Sequence, residues 1–462
     1  MAKPKWQKWI KPLASLKIAV FVIISMGVMS AWGTIVESIY NDAKRAQETV
    51  YHAWFSYAIF ALLAVNLTAV IADRYPWKRN HVGFISAHVG IIILILGSVL
   101  TRYFGVDASM AFNINESKNK LMSSETDIIV YSGLLSGGAR KVFEKEVHFL
   151  KDPPSLNKPF VVEVGGDKIV IDDFRPYSIP QSKVEPSEKA TDGPGLRFQI
   201  SNDRVSESDW LLLGNQGFDV KDMGPAKIVL AQKDKYKYNG GNVLLLESEG
   251  DSEKLRYRIF TASQPDQIKT GSVSAGGSIQ TGWMGLTFRI LKYMKGAKET
   301  WTYEPLARAT DETIQSIRFT FNGNEYWTGL NSSVRLFTDN AYYVFIYANR
   351  LLELDFALKL DEFRVGRYQG TRRAASYESD VSVIDGGHSV ANTTISMNKP
   401  LKYKGFTFYQ ASFKEDEMGR PIMSILSVNR DPGRFWKYLG SLLIVFGIFH
   451  LFYIKSSRRA RS

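Results

Sequence analysis

The sequence predicts a membrane protein with four transmembrane α-helices and one large, mainly antiparallel, sandwich-like β domain outside the cytoplasm. Four stretches contain no Asp, Glu, Lys or Arg, and each is long enough to cross about 30 Å of hydrocarbon as a helix, the last one barely so. Between residues 101 and 435, apolar residues alternate in short segments broken by Gly, Asn, Asp and Pro, which is typical of antiparallel sheet.

The charge-free stretches define the predicted spans as residues 18–36, 53–72, 82–101 and 438–454. A cleavable signal peptide is the alternative for the first stretch. That stretch lacks a clean small-residue cleavage site, however, and two more spans follow closely. We therefore interpret it as a retained anchor.

The positive charge predicts the orientation of these spans. The net charge is +12, and nearly all of it lies in three short segments: five lysines in residues 1–17, a basic loop at 73–81 and four cations in residues 455–462. Short segments rich in Lys and Arg stay in the cytoplasm. The sequence thus predicts that these three segments lie in the cytoplasm, and that the loop at 37–52 and the β-rich domain at 102–437 lie outside it. The net positive charge is therefore interpreted as a signal of topology and not as a nucleic-acid-binding surface.

Turn residues predict details of the outer domain. Gly165 and Gly166 divide one hairpin, and Asn322 and Gly323 divide another, because such turns need residues that tolerate positive φ. Residues 178–195 contain three prolines and predict a loop, with a boundary between subdomains.

The residues offer no recognisable independent catalytic centre. There is no cysteine, which excludes a thiol nucleophile, and no P-loop, GxSxG or HExxH motif. No catalytic residue is assigned, and no independent enzymatic activity is expected.

Histidine is the informative residue type, because four of the six histidines lie in or beside the spans. His52 opens the second span, His81 belongs to the basic loop, His88 lies about 9 Å into the third span, and His450 lies near the inner end of the fourth. His148 and His388 are interpreted as ordinary surface or turn residues of the outer domain.

His88 has two open interpretations. A neutral imidazole in hydrocarbon can hydrogen-bond a neighbouring helix, or it can be an axial ligand to haem iron. Small neighbours at Gly83, Ser86, Ala87 and Gly90 would let either a flat macrocycle or another helix approach closely. His450 is the weaker alternative ligand, since a histidine at the membrane interface needs no special role.

The sequence resembles the ResB/CcsB family of System II cytochrome c maturation over nearly its whole length. The most specific likeness is a strand ending in Tyr409-Gln410-Ala411-Ser412, followed by Asp431-Pro432-Gly433 and a terminal span. Further matching segments are Leu13 to Lys17, Ala31 to Thr34, Tyr51 to Phe55, Asn66-Leu67, His88-Val89-Gly90, Thr101 to Gly105 and Asn398 to Leu401.

The resemblance implies a subunit that helps to carry haem across the bacterial cytoplasmic membrane and present it to apocytochrome c. Its implied partner is a ResC/CcsA-type membrane protein with a Trp-rich haem-handling segment, and a thiol-disulfide reductant is a further expected partner. The family's transmembrane haem ligand in this half corresponds to His88. The absence of cysteine departs from some relatives, and the absence of a Trp cluster indicates the unfused form.

A second hypothesis is a membrane scaffold whose outer domain binds apocytochrome c or the partner subunit without contacting haem. A sensor or transporter subunit would need a cytoplasmic domain, and the predicted cytoplasmic segments are too short for one.

Overall fold

A computed structural model describes residues 6–134, 138–188, 192–213, 217–224, 226–248, 254–338, 341–371, 373–416 and 419–454. The predicted cytoplasmic tail at 455–462, and Lys3 and Lys5 of the basic N-terminal segment, lie outside the described residues. The chain divides into two compact units, one formed by Met1–Ser178 with Pro305–Ser462 and the other by Ile179–Glu304.

Among the described residues, four helices are long and apolar enough to cross a membrane, as the sequence predicts. The helices are α1 (Gln7–Ile10), α2 (Leu16–Tyr40), α3 (Ala43–Ala46), α4 (Trp54–Asp73), α5 (Val82–Phe104) and α6 (Arg434–Phe449), and the four long ones are α2, α4, α5 and α6. A π-helical turn, Gln47–Tyr51, precedes α4, a 3-10 turn, Arg79–His81, precedes α5, and a second π-helical turn, His450–Ile454, extends α6. The helical form satisfies every backbone polar group within its own segment, which hydrocarbon requires.

The remainder of the described chain is almost entirely β-structure. In chain order, the first strands are β1 (Val106–Asn113), β2 (Ser117–Leu134), β3 (Ala139–Val147), β4 (Phe160–Val164), β5 (Asp167–Pro186), β6 (Gly195–Ser201), β7 (Ser206–Leu212), β8 (Phe218–Asp222), β9 (Lys227–Gln232), β10 (Val243–Ser248), β11 (Leu255–Thr261) and β12 (Gln264–Val273). The others are β13 (Ser278–Gln280), β14 (Thr287–Met294), β15 (Ala297–Pro305), β16 (Ile314–Phe321), β17 (Asn324–Gly329), β18 (Ser332–Phe337), β19 (Ala341–Arg367), β20 (Ala374–Asp385), β21 (His388–Ser396), β22 (Leu401–Tyr403), β23 (Phe406–Glu415) and β24 (Pro421–Arg430).

The first unit contains a large sheet in the order β21-β20-β19-β2-β1-β24-β23-β22, with β18 paired to β19 and β3 paired to β2. Part of this sheet shares a core with the strands β4, β5 and β16. Ile128 and Phe345 from the large sheet pack in one buried cluster with Ile171 and Phe319 from those strands. This sheet-on-sheet packing confirms the predicted sandwich-like, mainly antiparallel fold.

The second unit has a sandwich of its own. One sheet has the order β13-β14-β6-β7 and the other the order β12-β11-β10-β9-β8. Phe198 and Phe288 from the first stack 5.3 Å apart and share a buried cluster with Leu230 and Leu244 from the second. Strands β9 and β10 are parallel, whereas the neighbouring pairs in both sheets are antiparallel.

Both predicted hairpins are confirmed. Gly165 and Gly166 connect β4 to β5 with φ of 58° and 95°, and Asn322 and Gly323 connect β16 to β17 with φ of 47° and 78°. Positive φ at both central residues gives the turn a twist that matches the flanking strands.

The prediction of a loop over residues 178–195 is wrong for its first half. Strand β5 continues through Pro180 to Pro186, and its last part pairs with β15. Long-range pairing thus outweighs the local signal of the prolines. A unit boundary does fall at Ser178 and Ile179, at the start of the segment for which the sequence predicts one.

A stripe of glycines holds α5 against α6 in an antiparallel pair. The glycine stripe consists of three facing pairs at seven-residue spacing: Gly83 with Gly447, Gly90 with Gly440, and Gly97 with Gly433. A Cβ atom added at Gly90 would lie 2.6 Å from the carbonyl oxygen of Gly440, and one added at Gly440 would lie 2.5 Å from that of Gly90. Such close backbone contact is how helices associate in lipid, where apolar surface gives little driving force.

Asp431 fastens the β-domain end of the same helix pair. Its carboxylate accepts hydrogen bonds from Thr101 Oγ1 at 2.6 Å and from Lys437 Nζ at 2.7 Å. Burial raises the pKa of this carboxyl, but the two hydrogen bonds and the lysine charge outweigh burial and hold the pKa below its ordinary value. The Asp-Pro-Gly sequence therefore joins the last strand to both helices.

The segment between α2 and α4 is bound to the β-structure of the first unit. The backbone N–H of Ala309 donates to the carbonyl of Tyr40 at 2.9 Å, and Tyr177 Oη donates to Asp42 Oδ2 at 2.9 Å. Burial and the Asp42 carboxylate raise the pKa of Tyr177 to about 12, so the phenol remains a donor. This short segment is therefore held against the β-structure of the first unit.

A buried ion pair joins β2 to β19. Arg350 makes a bidentate contact with the carboxylate of Asp127, from Nε at 3.0 Å and from Nη2 at 2.7 Å. Asp127 is 2% exposed. Glu125 and Glu146 contact the same guanidinium at 2.9 Å each. The arginine thus neutralises a carboxylate that the sheet has removed from water.

Candidate functional site

His88 lies in the second turn of α5, and one hydrogen bond fixes its tautomer. The Nδ1 atom is 2.9 Å from the backbone carbonyl oxygen of Phe84, one helical turn earlier. A carbonyl oxygen only accepts hydrogen bonds, so Nδ1 carries the hydrogen. In the neutral ring, Nε2 then has a free lone pair, and it makes no hydrogen bond with any described residue. This is the arrangement that metal-ligating histidines adopt.

Phe84 also supports the imidazole from one face. The two ring centroids are 3.9 Å apart with 34° between the ring planes. Phe84 is a contact residue of the candidate site that the sequence analysis did not name, although its four-residue spacing from His88 is a signal that the two side chains share a helix face. The combined hydrogen bond and ring contact restrict the orientation of the imidazole.

The small residues around His88 serve helix packing. Gly83 and Gly90 contact α6 through the glycine stripe, Ser86 Oγ donates to the carbonyl of Leu443 at 2.9 Å, and Ala87 lies against Gly447. Of the two uses left open for this small face, the structure therefore fills it with a helix. His88 itself makes no hydrogen bond to α6 in the described chain.

His450 lies at the start of the π-helical turn that extends α6. Its Nδ1 atom is buried, has no hydrogen-bond partner, and would lie 2.8 Å from a Cβ atom added at Gly83. An atom covered by the neighbouring helix in this way is inaccessible to iron unless the helices separate. A ligand would therefore have to approach the other ring nitrogen of His450, Nε2.

The remaining histidines are placed apart from His88. His81 lies in the 3-10 turn before α5, and its Nδ1 accepts from the backbone N–H of Lys78 at 3.4 Å. His52 caps the π-helical turn before α4. Burial, and then the charges of Arg102 and Lys151, lower the pKa of His52 to about 4, so this half-buried ring is neutral near pH 7.

Within the part of the chain that the structure describes, no three His, Cys, Asp or Glu side chains are grouped so that they could hold a metal ion. A lone imidazole with a free Nε2 does fit an axial position on haem, because the macrocycle already supplies four of the iron ligands.

Comparison with known proteins gives a family match for the segment that contains strands β19 to β23 of the large sheet. Residues 336–424, from the end of β18 into β24, match the sequence model of the ResB-like family. This segment is ResB-like. The match confirms the resemblance predicted from the sequence over this segment, which includes Tyr409-Gln410-Ala411-Ser412 within β23.

Curated relatives align with this chain over short regions. Protein NrfI from Wolinella succinogenes is 37% identical over 114 residues, which is 24% of this chain and 12% of NrfI. The cytochrome c biogenesis protein CcsB from Synechococcus sp. strain JA-3-3Ab is 41% identical over 61 residues, which is 12% of this chain and 13% of that protein. CcsB from Synechococcus sp. strain JA-2-3B'a(2-13) is 41% identical over 51 residues, 11% of each chain. The chain thus covers about an eighth of the length of the relatives that it matches.

Proposed function

We propose that this chain is a membrane subunit of System II cytochrome c maturation, in which His88 supplies one axial ligand to haem carried through the membrane. The ResB-like segment and the two CcsB relatives support the pathway. The single observation that supports the haem role is the hydrogen bond from His88 Nδ1 to the Phe84 carbonyl, which leaves Nε2 free.

Haem is cargo in this proposal. When bound, it brings a ferric or ferrous iron with two axial positions, one of which the imidazole of His88 occupies. A ResC/CcsA-type partner provides the opposite ligand and the Trp-rich surface. His88 binds without becoming charged, which matters because a charged group at the centre of a span costs roughly 3 kcal/mol. His450 remains the weaker candidate.

The outer β domain is proposed to face the compartment in which apocytochrome c receives haem. There, the reduced thiols of the apocytochrome add across the vinyl groups of the haem, and a thiol-disulfide reductant keeps those thiols reduced. This chain contains no cysteine. We therefore propose that it acts only as part of a complex, so the purified single subunit, given ferrous haem and reduced apocytochrome, forms thioether bonds no faster than the uncatalysed control.

The haem role is tested by replacing His88 with Ala. The variant complex is expected to assemble but to lose most of its copurifying haem, and added imidazole should enter the vacated space and restore part of both haem content and maturation. The matched control is His81→Ala, which removes a histidine seven residues earlier that can be solvated at the membrane interface. The measurement is the absorption spectrum at equal protein concentration. Unchanged haem content and an unshifted low-spin spectrum in His88→Ala would leave only the scaffold hypothesis.

Orientation is tested separately with alkaline phosphatase fusions. We expect activity at Gln47 and Asp251 and none at Ser462, because the basic segments are proposed to be cytoplasmic. Asp251 and Ser462 lie outside the described residues. Activity at Ser462 with silence at Asp251 would reverse the proposed topology.

A further inference from the structure

An arginine, a phenylalanine and the proposed haem ligand form a three-layer stack where α4 and α5 meet. The Cζ atom of Arg74, at the end of α4, lies 3.4 Å from the ring centroid of Phe84 in the first turn of α5. The Phe84 ring in turn contacts the His88 ring at 3.9 Å. Two elements separated by a loop therefore bring a fixed positive charge beside the imidazole.

The guanidinium of Arg74 has its hydrogen-bond donors available. Stacking on an aromatic face uses the flat side of the group and leaves its N–H edge open. Arg74 is exposed and makes no ion pair with any described carboxylate. By contrast, Arg350 and Arg364 are held by several carboxylates each. An unpaired guanidinium held in place on a ring suits recognition of a carboxylate or phosphate.

The direction of the stack relates this charge to a haem bound at His88. An axial imidazole contains the iron–nitrogen bond in its own plane, and the haem plane is perpendicular to that bond. The normal to the imidazole ring is therefore parallel to the haem plane. Because Phe84 and Arg74 follow one another approximately along that normal, Arg74 is displaced sideways from the iron axis, towards the periphery of a macrocycle bound at His88.

We propose that Arg74 binds a propionate carboxylate of the haem whose iron is ligated by His88, with Phe84 as the platform that positions both groups. The inference rests on the proposed function. It adds a named recognition residue for the anionic edge of the cargo and fixes which edge of the haem faces the α4–α5 loop. Arg74 is a binding residue and Phe84 a positioning residue.

The test is a cycle that removes the interaction once from the protein and once from the ligand. The full chain in detergent micelles is titrated with haem and with haem dimethyl ester, which has no carboxylate, and the Soret band is followed. Wild type should bind haem about tenfold more tightly than the diester. Arg74→Gln should bind haem about tenfold more weakly while its affinity for the diester is unchanged.

Three further variants sharpen the result. Arg79→Gln removes a cation from the same loop and should keep the preference for haem over the diester. Arg74→Lys should keep only part of the preference, because lysine retains the positive charge but cannot form the bidentate contact. Phe84→Leu keeps the arginine and should reduce the preference and also shift the Soret band, since the imidazole loses its ring contact.

Equal weakening of both ligands by Arg74→Gln, or no weakening of either, would overturn the inference. So would an effect that appears only in micelles containing anionic phospholipid, because Arg74 would then bind a lipid phosphate. These failures differ from failure of the proposed function. In that case His88→Ala would bind both ligands as tightly as wild type, with the same spectrum.

Discussion

Replacing Gly90 with Ala should push α5, which carries His88, away from α6, the last of the four long helices. The new Cβ atom would lie 2.6 Å from the carbonyl oxygen of Gly440 and 2.9 Å from the backbone N of Ile444. Backbone atoms cannot rotate away as a flexible side chain can. Helices α5 and α6 must therefore move apart by roughly 1 Å before the methyl group reaches ordinary van der Waals separation.

The expected cost follows from overpacking a close contact, about 1–3 kcal/mol, reduced by up to about 1 kcal/mol because alanine favours a helix more than glycine does. We expect Gly90→Ala to lower the free energy of unfolding by about 1–2 kcal/mol. The matched control is Gly27→Ala in α2, where an added Cβ meets nothing within 4 Å. That variant gains the helix preference without the clash and should be as stable as wild type or slightly more stable.

The absence of cysteine makes the assay direct. Cysteines introduced at the exposed positions Val82 and Tyr453, at one end of the helix pair, can carry two pyrene labels whose excimer fluorescence reports helix proximity. Titration with sodium dodecyl sulfate then gives the unfolding free energy. Adding Gly440→Ala to Gly90→Ala should cost less than the sum of the two single changes, since the first methyl has already opened the interface. Equal stability of Gly90→Ala and Gly27→Ala would refute this account of the glycine stripe.

Three further predictions concern the β-structure and the segments that join it to the long apolar helices. The pKa of His52 is about 4 in the folded chain and 6.5 when unfolded, so its contribution to stability is full above pH 6.5 and is lost as the pH falls towards 4. After allowance for solvent screening, His52→Gln should remove about 1 kcal/mol of this pH dependence, and an unchanged pH profile of unfolding would contradict the prediction. Arg350→Leu leaves the Asp127 carboxylate buried without its partner and should lower the free energy of unfolding in denaturant by about 3–5 kcal/mol. The control Arg420→Leu breaks an exposed ion pair and should cost less than about 1 kcal/mol, so similar losses in the two variants would show that burial is irrelevant. Asp431→Asn weakens the contacts to α5 and α6 and should lower the free energy of unfolding, measured by thermal denaturation, by about 1–3 kcal/mol. A melting temperature equal to that of the wild type would show that the junction does not depend on this carboxylate.

The sequence by itself determined the membrane helices and the local turns. A charge-free run of sufficient length has one stable form in hydrocarbon, because only a helix satisfies its backbone within a single segment. The Gly165-Gly166 and Asn322-Gly323 turns were also predictable, because positive φ is a property of the residues themselves. The same local reasoning failed at Pro180, where β5 continues because a distant strand, β15, pairs with its end.

For the candidate site, the sequence provided His88 and a set of small neighbours with two possible uses. Only the tertiary structure decided between them. It placed Gly440 against Gly90, gave the small face to α6, and brought Arg74 from another helix onto Phe84 beside the imidazole. The physical reason is that hydropathy and spacing report the surroundings that one segment requires. Which backbone or cation meets that segment depends on the packing of separate elements, whether they are 350 residues apart, as for Gly90 and Gly440, or ten, as for Arg74 and Phe84, and no local pattern encodes it.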